Sequence, residues 1–457
     1  MGAPVPKRHV VEVRRSRRGT IGLACALVLA CRSPSSRARR DALGYLEQPS
    51  FRRAALRAAL VNPRNAYARL RLDHYSTGRA NDWDRLPEWN PASEPITAAE
   101  LDRPGGAAVS PLSASAAPLP LPAATTPDAT DDLALAALGR AAFSRYPAQL
   151  APYLKVALAS RAAAARYGLW VDDRRGVGGV VRARMGDGSV MLALTCASCH
   201  SARAGGATDA TTGVVSDGVN NAALDLGAAI RDGSPPAGDT QGARNQAAWG
   251  PGRLDVTTMT GGEPARIPDL RPLRHQTHLH QDATLALRDR TTLAIRIETL
   301  IVTAHGQVLR PPRVVALALA QYLTTLADAL PLLDAGRRAS PRGEQVFDSA
   351  CATCHAPPAL SGPPVALEVI GTDPTLGRSA ERGTGMYRVP SLRGVGQRTP
   401  LLHDGTVPTL EAMFDPARPT SAFAARLHGP GAVPGHLFGL NLDEPDRTAL
   451  LAFLRAL

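Results

Sequence analysis

The chain contains the pattern Cys-x-x-Cys-His twice, as Cys196-Ala-Ser-Cys199-His200 and as Cys351-Ala-Thr-Cys354-His355. This pattern is typical of covalent haem attachment. Two cysteines about one helical turn apart bring both sulfur atoms to one edge of a haem, and the adjacent histidine reaches the iron. A redox or zinc-binding cysteine pair followed by a chance histidine is the alternative, and the second copy counts against it. We therefore predict two c-type haems.

Residues 1–31 have the form of a bacterial secretory leader. An Arg-rich segment precedes an apolar run from Ile21 to Ala30, which is too short for a permanent membrane span. The run ends in Val28-Leu-Ala-Cys31, which is similar to a lipobox, where cleavage precedes a cysteine that receives lipid. Ordinary cleavage and an uncleaved anchor are the alternatives. The leader predicts the periplasm or cell envelope, with a tether to the membrane surface at Cys31.

Cysteine usage supports export. Of the six cysteines, Cys25 and Cys31 belong to the leader region and the other four belong to the two motifs. No cysteine is left for a structural disulfide or a zinc site. The resemblance of the motifs to those of c-type cytochromes implies haem attachment after export, so the leader and the motifs independently predict the same compartment.

The net charge of +12 raises the question of nucleic-acid binding. Six of the basic residues precede residue 31, so they leave with the leader. Two haems would add about four carboxylates, which offset part of the remainder. No basic run is interleaved with aromatic residues, so we expect no nucleic-acid partner.

Composition and apolar spacing divide the chain into segments of mainly helical character. Residues 32–103 read as a helical N-terminal extension of unassigned role, and residues 104–131 read as a Pro/Ala-rich linker with polyproline character. Residues 132–335 and 336–457 each contain one haem motif and end in an apolar helix. Neither segment shows sustained strand alternation, so the predicted fold class is mainly α.

An internal repeat relates these two segments. Arg266-Ile-Pro-Asp-Leu-Arg271 matches Arg388-Val-Pro-Ser-Leu-Arg393, with each counterpart 122 positions later. The closing helices also align, so that Tyr322 matches Phe453. We therefore interpret the segments as two copies of one module.

The repeat suggests the second axial ligand of each iron. His305 and His436 both lie 17 positions before the aromatic residue of the closing helix. A sixth ligand is a methionine, a second histidine or nothing, and the repeat favours His305 and His436. The competing candidates in the two modules are Met259, His275, His278 and His280, and Met386, His403, Met413 and His428.

Other residues of the modules suit roles around a haem. Guanidinium groups pair with carboxylates such as haem propionates, and the repeat places four arginines in matching positions; these are Arg266, Arg271, Arg388 and Arg393. Surface charge is the alternative for each. Trp249 is a candidate bridge between the haems, although packing in a core is the more ordinary role.

The segment Tyr387-Arg-Val-Pro-Ser-Leu-Arg-Gly-Val-Gly-Gln-Arg-Thr-Pro-Leu-Leu-His403-Asp-Gly resembles the C-terminal haem domain of the bacterial di-haem cytochrome c peroxidase and MauG superfamily. The resemblance covers the second module well and the first through the repeat. It implies two class-I-like cytochrome c domains, with haem held by Cys196, Cys199, His200, Cys351, Cys354 and His355. Peroxidases of this family carry a distal methionine where this chain has Ala417, so the resemblance does not extend to their activity. Gly435-His436-Leu-Phe-Gly439 is similar instead to a His-bearing segment of the rubber-oxygenase branch.

Three functions compete. Electron transfer between redox partner proteins is expected if both irons carry two histidines. Reduction of hydrogen peroxide, the alternative, needs an open sixth position and an acid/base group, for which Glu263 and Asp282 are the weak candidates. A docking lipoprotein with incidental haems is the third. The family resemblance also makes calcium a possible second cofactor, but the sequence assigns no ligands to it.

Overall fold

The computed structural model describes residues 34–107, 110–122, 130–203, 213–234, 241–257 and 260–457. Helix accounts for 40% and strand for 13% of the described residues, which is compatible with the predicted mainly helical class. The predicted lipid-bearing Cys31 and the candidate Met259 lie outside the described residues.

The described residues form fifteen α-helices and several short 3-10 turns. The α-helices are α1 (Pro34–Glu47), α2 (Pro49–Ala59), α3 (Ala66–His74), α4 (Asp132–Arg145), α5 (Arg161–Arg166), α6 (Cys196–His200), α7 (Leu226–Gly233), α8 (Gln241–Ala247), α9 (Arg290–Ala304), α10 (Arg313–Thr325), α11 (Leu333–Ala339), α12 (Pro341–Ala350), α13 (Leu367–Ile370), α14 (Leu410–Met413) and α15 (Glu444–Ala456).

Fourteen short strands accompany the helices in the described residues. They are β1 (Ser93–Pro95), β2 (Gln149–Leu150), β3 (Val171–Asp172), β4 (Gly176–Val177), β5 (Val180–Arg184), β6 (Val190–Leu194), β7 (Ser201–Arg203), β8 (Val215–Asp217), β9 (Arg253–Leu254), β10 (Ala265–Arg266), β11 (His278–Leu279), β12 (Leu285–Ala286), β13 (Gly362–Ala366) and β14 (Met386–Val389).

The strands form one antiparallel sheet of order β1-β5-β6-β2 and five two-stranded pairs. The sequence analysis predicted no sheet. Alternation of apolar and polar residues could not predict the four-stranded sheet. Its strand β5 is buried along most of its length, and the neighbouring β1 comes from the distant N-terminal extension. Ser93 pairs with Ala183 and Pro95 with Val181, so the extension is part of this sheet.

The first helix crossing packs α4 against α10. Asp131 caps α4 by accepting hydrogen bonds from the backbone of Leu133 and Ala134. Gly139 lies so close to α10 that a Cβ atom there would be 2.0 Å from the Ala318 carbonyl oxygen. One turn further on, the Phe143 and Tyr322 rings meet at 5.5 Å.

The second crossing packs α12 against α15 in the same way. Ser340 caps α12, and a Cβ atom at Gly343 would lie 2.1 Å from the Ala449 carbonyl oxygen. The Phe347 and Phe453 rings meet at 5.2 Å. Each half of the chain therefore has a glycine that lets two helices approach closely and an aromatic pair beside it.

The N-terminal extension packs against the first module instead of standing apart. The buried carboxylate of Glu298, in α9, accepts hydrogen bonds from Tyr75 at 2.6 Å and from Tyr45 at 2.9 Å. Arg313 forms an ion pair with the same carboxylate at 3.2 Å. Since Glu298 is 1% exposed, these partners satisfy a charge that would otherwise be costly to bury.

The described part of the predicted linker also packs on the body of the protein. Leu119 is 4% exposed and belongs to the largest apolar core, and its carbonyl accepts from Asn90 Nδ2 at 2.9 Å. Ala107 donates to the Leu158 carbonyl at 3.0 Å. These contacts fix the segment to the N-terminal extension and to the first module.

The stretch Arg313–Ala339 has the length and apolarity of a membrane-spanning helix, but 56% of its apolar window is buried inside the fold. Its first part is α10, which packs on α4 and α9. Core packing accounts for its apolar composition.

Candidate metal centres

The first motif forms the short helix α6, whose position is set by Gly179. Thr195 Oγ1 and Ser198 Oγ donate to the Gly179 carbonyl at 2.8 and 3.0 Å. Gly179 has a φ of 61°, and a Cβ atom there would lie 2.6 Å from the Ser198 backbone nitrogen. The glycine therefore permits the close approach that anchors the start of the motif.

His200 ends α6 with its ring held in a defined orientation. Its Nδ1 hydrogen-bonds the Pro268 carbonyl at 3.0 Å. Burial lowers the pKa of His200 to about 4, so the ring is neutral near neutral pH. Since a carbonyl only accepts, Nδ1 carries the proton and Nε2 keeps a free lone pair, as a metal ligand requires.

The second motif is a turn at the end of α12. The His355 backbone donates to the Cys351 carbonyl at 2.9 Å, which closes one helical turn. His355 Nδ1 hydrogen-bonds the Leu360 carbonyl at 3.2 Å. Burial lowers the pKa of His355 to about 4, against the opposing effect of the Leu360 and Pro390 carbonyls. Pro390 is the repeat counterpart of Pro268, so matching loops supply carbonyls to both histidines.

Within the described residues no disulfide joins the four motif cysteines, although each pair has the spacing of a redox disulfide. Burial raises the pKa of both Cys196 and Cys199 to about 12, and that of Cys351 to about 11. These thiols are therefore neutral and weak nucleophiles by themselves.

The second centre contains a second histidine. The ring centroids of His355 and His436 are 6.5 Å apart, and their planes are inclined by 59°. Two metal–nitrogen bonds of about 2 Å each, added to the half-widths of two rings, require a centroid separation of roughly 6 Å. Burial, and then the neighbouring His355, lower the pKa of His436 to about 4, so both rings are neutral. The separation of the two rings is therefore of the size that one iron between two imidazoles requires.

His436 is positioned by Arg418, which sequence reasoning missed. The Arg418 side chain is fully buried and donates to the carbonyls of Val433 and Gly435 at 2.9 Å and of His436 at 2.7 Å. The His436 backbone nitrogen donates to the Ile370 carbonyl at 2.7 Å. The sequence indication of this role was an arginine in a loop rich in glycine and proline. The backbone carbonyls of such a loop need hydrogen-bond donors.

His305 does not occupy the corresponding position. Its Nε2 hydrogen-bonds the Pro147 carbonyl at 3.1 Å, and its ring packs edge-on against Trp89 at 4.9 Å. Among ring contacts of the described residues, the His355–His436 pair has no counterpart at His200. The structure therefore gives no support to His305 as the distal ligand of the first centre.

The competing candidates are dispersed. Met413 is buried in the apolar core of the second module, and His403 stacks on Tyr387 at 4.3 Å. His428 is exposed, and Met386 begins β14. In the first module, His275 and His278 are partly exposed, whereas His280 accepts a short hydrogen bond from Arg296.

The repeated loops pack on each other about a pseudo-twofold axis. The Arg266 backbone donates to the His403 carbonyl at 2.9 Å, and the Arg388 backbone donates to the Gln281 carbonyl at 3.0 Å. Arg388 and His403 are the counterparts of Arg266 and Gln281. The two modules therefore meet through equivalent backbone groups, which extends the sequence repeat to the contact between them.

Matching hairpins flank this contact. Leu279 pairs with Leu285 in the first module, and Leu401 pairs with Val407 in the second. Both partners keep the offset of 122 positions.

The four arginines expected at propionates differ in their partners. Arg271 forms an ion pair with Asp269 at 2.7 Å, and Arg393 donates to the Pro331 carbonyl at 2.6 Å. Arg266 and Arg388 are 7% and 8% exposed and form no ion pair within the described residues. Their buried charges therefore suit the carboxylates of a bound haem.

Arg398, which the sequence analysis did not select, is 4% exposed and donates to the Ser391 carbonyl at 2.5 Å. Burial lowers the pKa of Arg398 to about 10, and that of Arg388 to about 9 with help from Arg266 and Arg398. An anion beside these guanidinium groups would raise the pKa of both arginines again.

Trp249 lies in a core. It is 3% exposed, packs in an apolar cluster of the first module, and donates from Nε1 to the Gly261 carbonyl at 2.8 Å. Core packing accounts for this residue.

No family model and no curated protein matches the chain. Fifteen chains of solved structures match it. One is a MauG-like protein associated with microbial copper homeostasis, at 18% identity and a TM-score of 0.33, covering 46% of this chain and 79% of that one. A similarity at this level assigns neither a fold nor an activity.

Proposed function

We propose that the chain is an exported di-haem c-type cytochrome that transfers electrons between redox partner proteins. The pair His355–His436 carries the proposal, because its centroid separation of 6.5 Å suits one iron between two neutral imidazoles. The two equivalent helix crossings support two cytochrome c-type domains, at residues 132–335 and 336–457.

In this proposal Cys196, Cys199, Cys351 and Cys354 attach the haems, and His200 and His355 are the proximal ligands. A bound haem supplies one-electron chemistry. The chain fixes the tautomer of each proximal histidine through a carbonyl, and His436 would be the second protein ligand of the second haem. A centre with both axial positions filled relays electrons without binding substrate.

Haem counting tests this proposal. The chain, produced with an export and haem-attachment system, is expected to carry two haems by pyridine haemochrome assay and intact mass. The double variants C196A/C199A and C351A/C354A should each retain one haem. The C196A/C199A variant should keep only a low-spin signal. A wild-type chain with fewer than two haems contradicts the proposal.

Peroxide reduction is the second candidate, and the asymmetry of the two centres favours it. No described histidine ring stands against His200 as His436 does against His355. Arg296, whose charge contributes after burial to the lowered pKa of His200, makes a short hydrogen bond to His280. An imidazole next to a guanidinium is suited to moving a proton and stabilising negative charge.

Spectroscopy at each oxidation state separates the two functions. A high-spin signal in the half-reduced protein, together with peroxide turnover, supports reduction of peroxide. Two low-spin signals at every stage without turnover support the relay alone.

We also propose export to the periplasm or cell envelope with lipid at Cys31. Metabolic labelling with a fatty acid should tag the wild-type chain and leave C31S unlabelled. Labelling of C31S, or a cytoplasmic haem-free product, contradicts this assignment.

A further inference from the structure

A group of hydrogen-bond donors without acceptors lies between the N-terminal extension and the first module. Tyr67 and Arg71 come from α3 and are 3% and 1% exposed. His280 and Arg296 come from the first module and are partly exposed. The buried atoms Tyr67 Oη, Arg71 Nη2, His280 Nδ1 and Arg296 Nη1 make no hydrogen bond within the described residues.

These side chains form a closed circuit of contacts. Arg296 Nε donates a short hydrogen bond to His280 Nε2, and the His280 ring meets the Tyr67 ring edge-on at 5.3 Å. The Arg71 guanidinium stacks 3.5 Å above the Tyr67 ring. Thr299 completes the circuit by accepting from Arg71 Nε at 3.2 Å and donating to the Arg296 carbonyl at 3.3 Å.

All four unpartnered atoms are donors. Because His280 Nε2 accepts from Arg296, a neutral His280 carries its proton on Nδ1. Burial and the neighbouring arginines hold the pKa of His280 well below its usual range, which favours that neutral form. Neither Arg71 nor Arg296 forms an ion pair within the described residues, although the charges of Asp255 and Asp282 act on Arg296 from a distance. The buried cation of Arg71 therefore has no directly contacting counter-ion within the described residues. Such an arrangement is costly unless an anion completes it.

The extension is held in place by the second module. The backbone of Ala66 and of Tyr67 donates to the carbonyls of Ala380 at 3.1 Å and Glu381 at 2.7 Å. Asn65 caps α3 and also donates to the Gly383 carbonyl at 3.2 Å. The start of α3 is therefore fixed, and Tyr67 and Arg71 follow directly from it.

We propose that Tyr67, Arg71, His280 and Arg296 form a binding site for a small oxyanion between the N-terminal extension and the first module, with two of its four groups supplied by the extension. The shared chemistry is a carboxylate-like group, either on a free anion such as formate or nitrate or on a propionate of the first haem. The proposed function enters only through the haem, since the four donors are defined without it.

Calorimetric titration of the haem-loaded protein with formate and nitrate, at fixed ionic strength, tests a free anion. One equivalent should bind the wild type, and R71A and R296A should weaken binding about tenfold or more. Y67F removes a hydroxyl that has no partner, so it should keep the thermal stability of the wild type while weakening binding about fivefold. R69A is the matched control, because Arg69 is exposed on the same helix.

The reduction potential of the first haem tests the propionate as occupant. In that case no added anion binds, and the potential shifts in R71A and R296A but not in R69A. The oxyanion site is contradicted if the wild type binds neither anion and the potentials of all variants coincide. Haem content is measured separately, because a chain without haem contradicts the proposed function while calorimetry still tests the donors.

Discussion

Arg418 donates a hydrogen bond of 2.7 Å from Nη2 to the carbonyl of His436, and its Nη1 donates to the carbonyls of Val433 and Gly435 in the same loop. The contact joins a fully buried cation to the backbone of a candidate iron ligand. His436 has a φ of 46°, in the left-handed region that non-glycine residues seldom adopt. The guanidinium therefore holds the ligand loop in a conformation that its own backbone does not favour.

Replacing Arg418 with alanine should release this loop. Buried carbonyls would lose charge-assisted donors, so we expect the free energy of unfolding to fall by about 3 kcal/mol. The second haem should gain a high-spin fraction by EPR as His436 dissociates. R426A is the control, since Arg426 makes one exposed hydrogen bond nearby. An R418A protein with wild-type stability and spectrum would show that the loop does not depend on this residue.

Replacing His436 with alanine should convert the second haem from low-spin to high-spin. The expected change follows from the removal of one of two imidazoles in a pair whose centroids lie 6.5 Å apart. H428A serves as the control, because His428 is an exposed histidine of the same region. The ligand assignment fails if H436A keeps the wild-type electronic spectrum.

Replacing His305 with alanine should leave both haem spectra unchanged. The variant loses packing against Trp89 and the hydrogen bond to Pro147, so we expect a stability loss of about 1 to 3 kcal/mol. Electronic spectra and thermal unfolding of the haem-loaded protein measure the two effects. A new high-spin signal in H305A would restore this histidine as a distal ligand.

The different surroundings of His305 and His436 could not be predicted from their position in the sequence repeat. Both histidines precede the closing aromatic by the same number of residues. In the first module, however, the fifteen-residue helix α9 runs up to His305, whereas the second module has an irregular loop around His436. Equal spacing along the chain does not give equal positions when the preceding elements differ.

The repeat could be predicted from the sequence in the loops whose backbone carbonyls interact with the motif histidines. The loops beginning at Arg266 and Arg388 share their sequence pattern, and their Pro268 and Pro390 carbonyls interact with His200 and His355. The repeat extends beyond these loops and the closing helices to the helices that precede each motif. Gly139 and Phe143 recur as Gly343 and Phe347, which a search for small-to-aromatic spacing before each motif would have detected.

The role of the extension was not predictable from its own sequence. The role proposed for Tyr67 and Arg71 depends on His280 and Arg296, which are more than two hundred positions away in the sequence. Long-range contacts of this kind leave no periodic pattern in the chain.

The glycines at the two helix crossings should not tolerate replacement by alanine. Alanine normally stabilises a helix relative to glycine by up to about 1 kcal/mol. At Gly139 and Gly343, however, a Cβ atom would lie 2.0 and 2.1 Å from a carbonyl oxygen of the facing helix. The helices must separate, so we expect G139A and G343A each to lower the free energy of unfolding by about 1 to 3 kcal/mol.

Urea unfolding, followed by circular dichroism and by the haem spectrum, measures these losses. G186A is the control, because no atom lies within 4 Å of a Cβ built there. If the crossings belong to separate modules, G343A should disturb the His436-ligated haem first, whereas G139A should leave that haem intact until global unfolding. Equal disturbance of this haem by both variants would mean that the modules unfold as one unit, as the backbone bonds of Arg266 to His403 and of Arg388 to Gln281 permit.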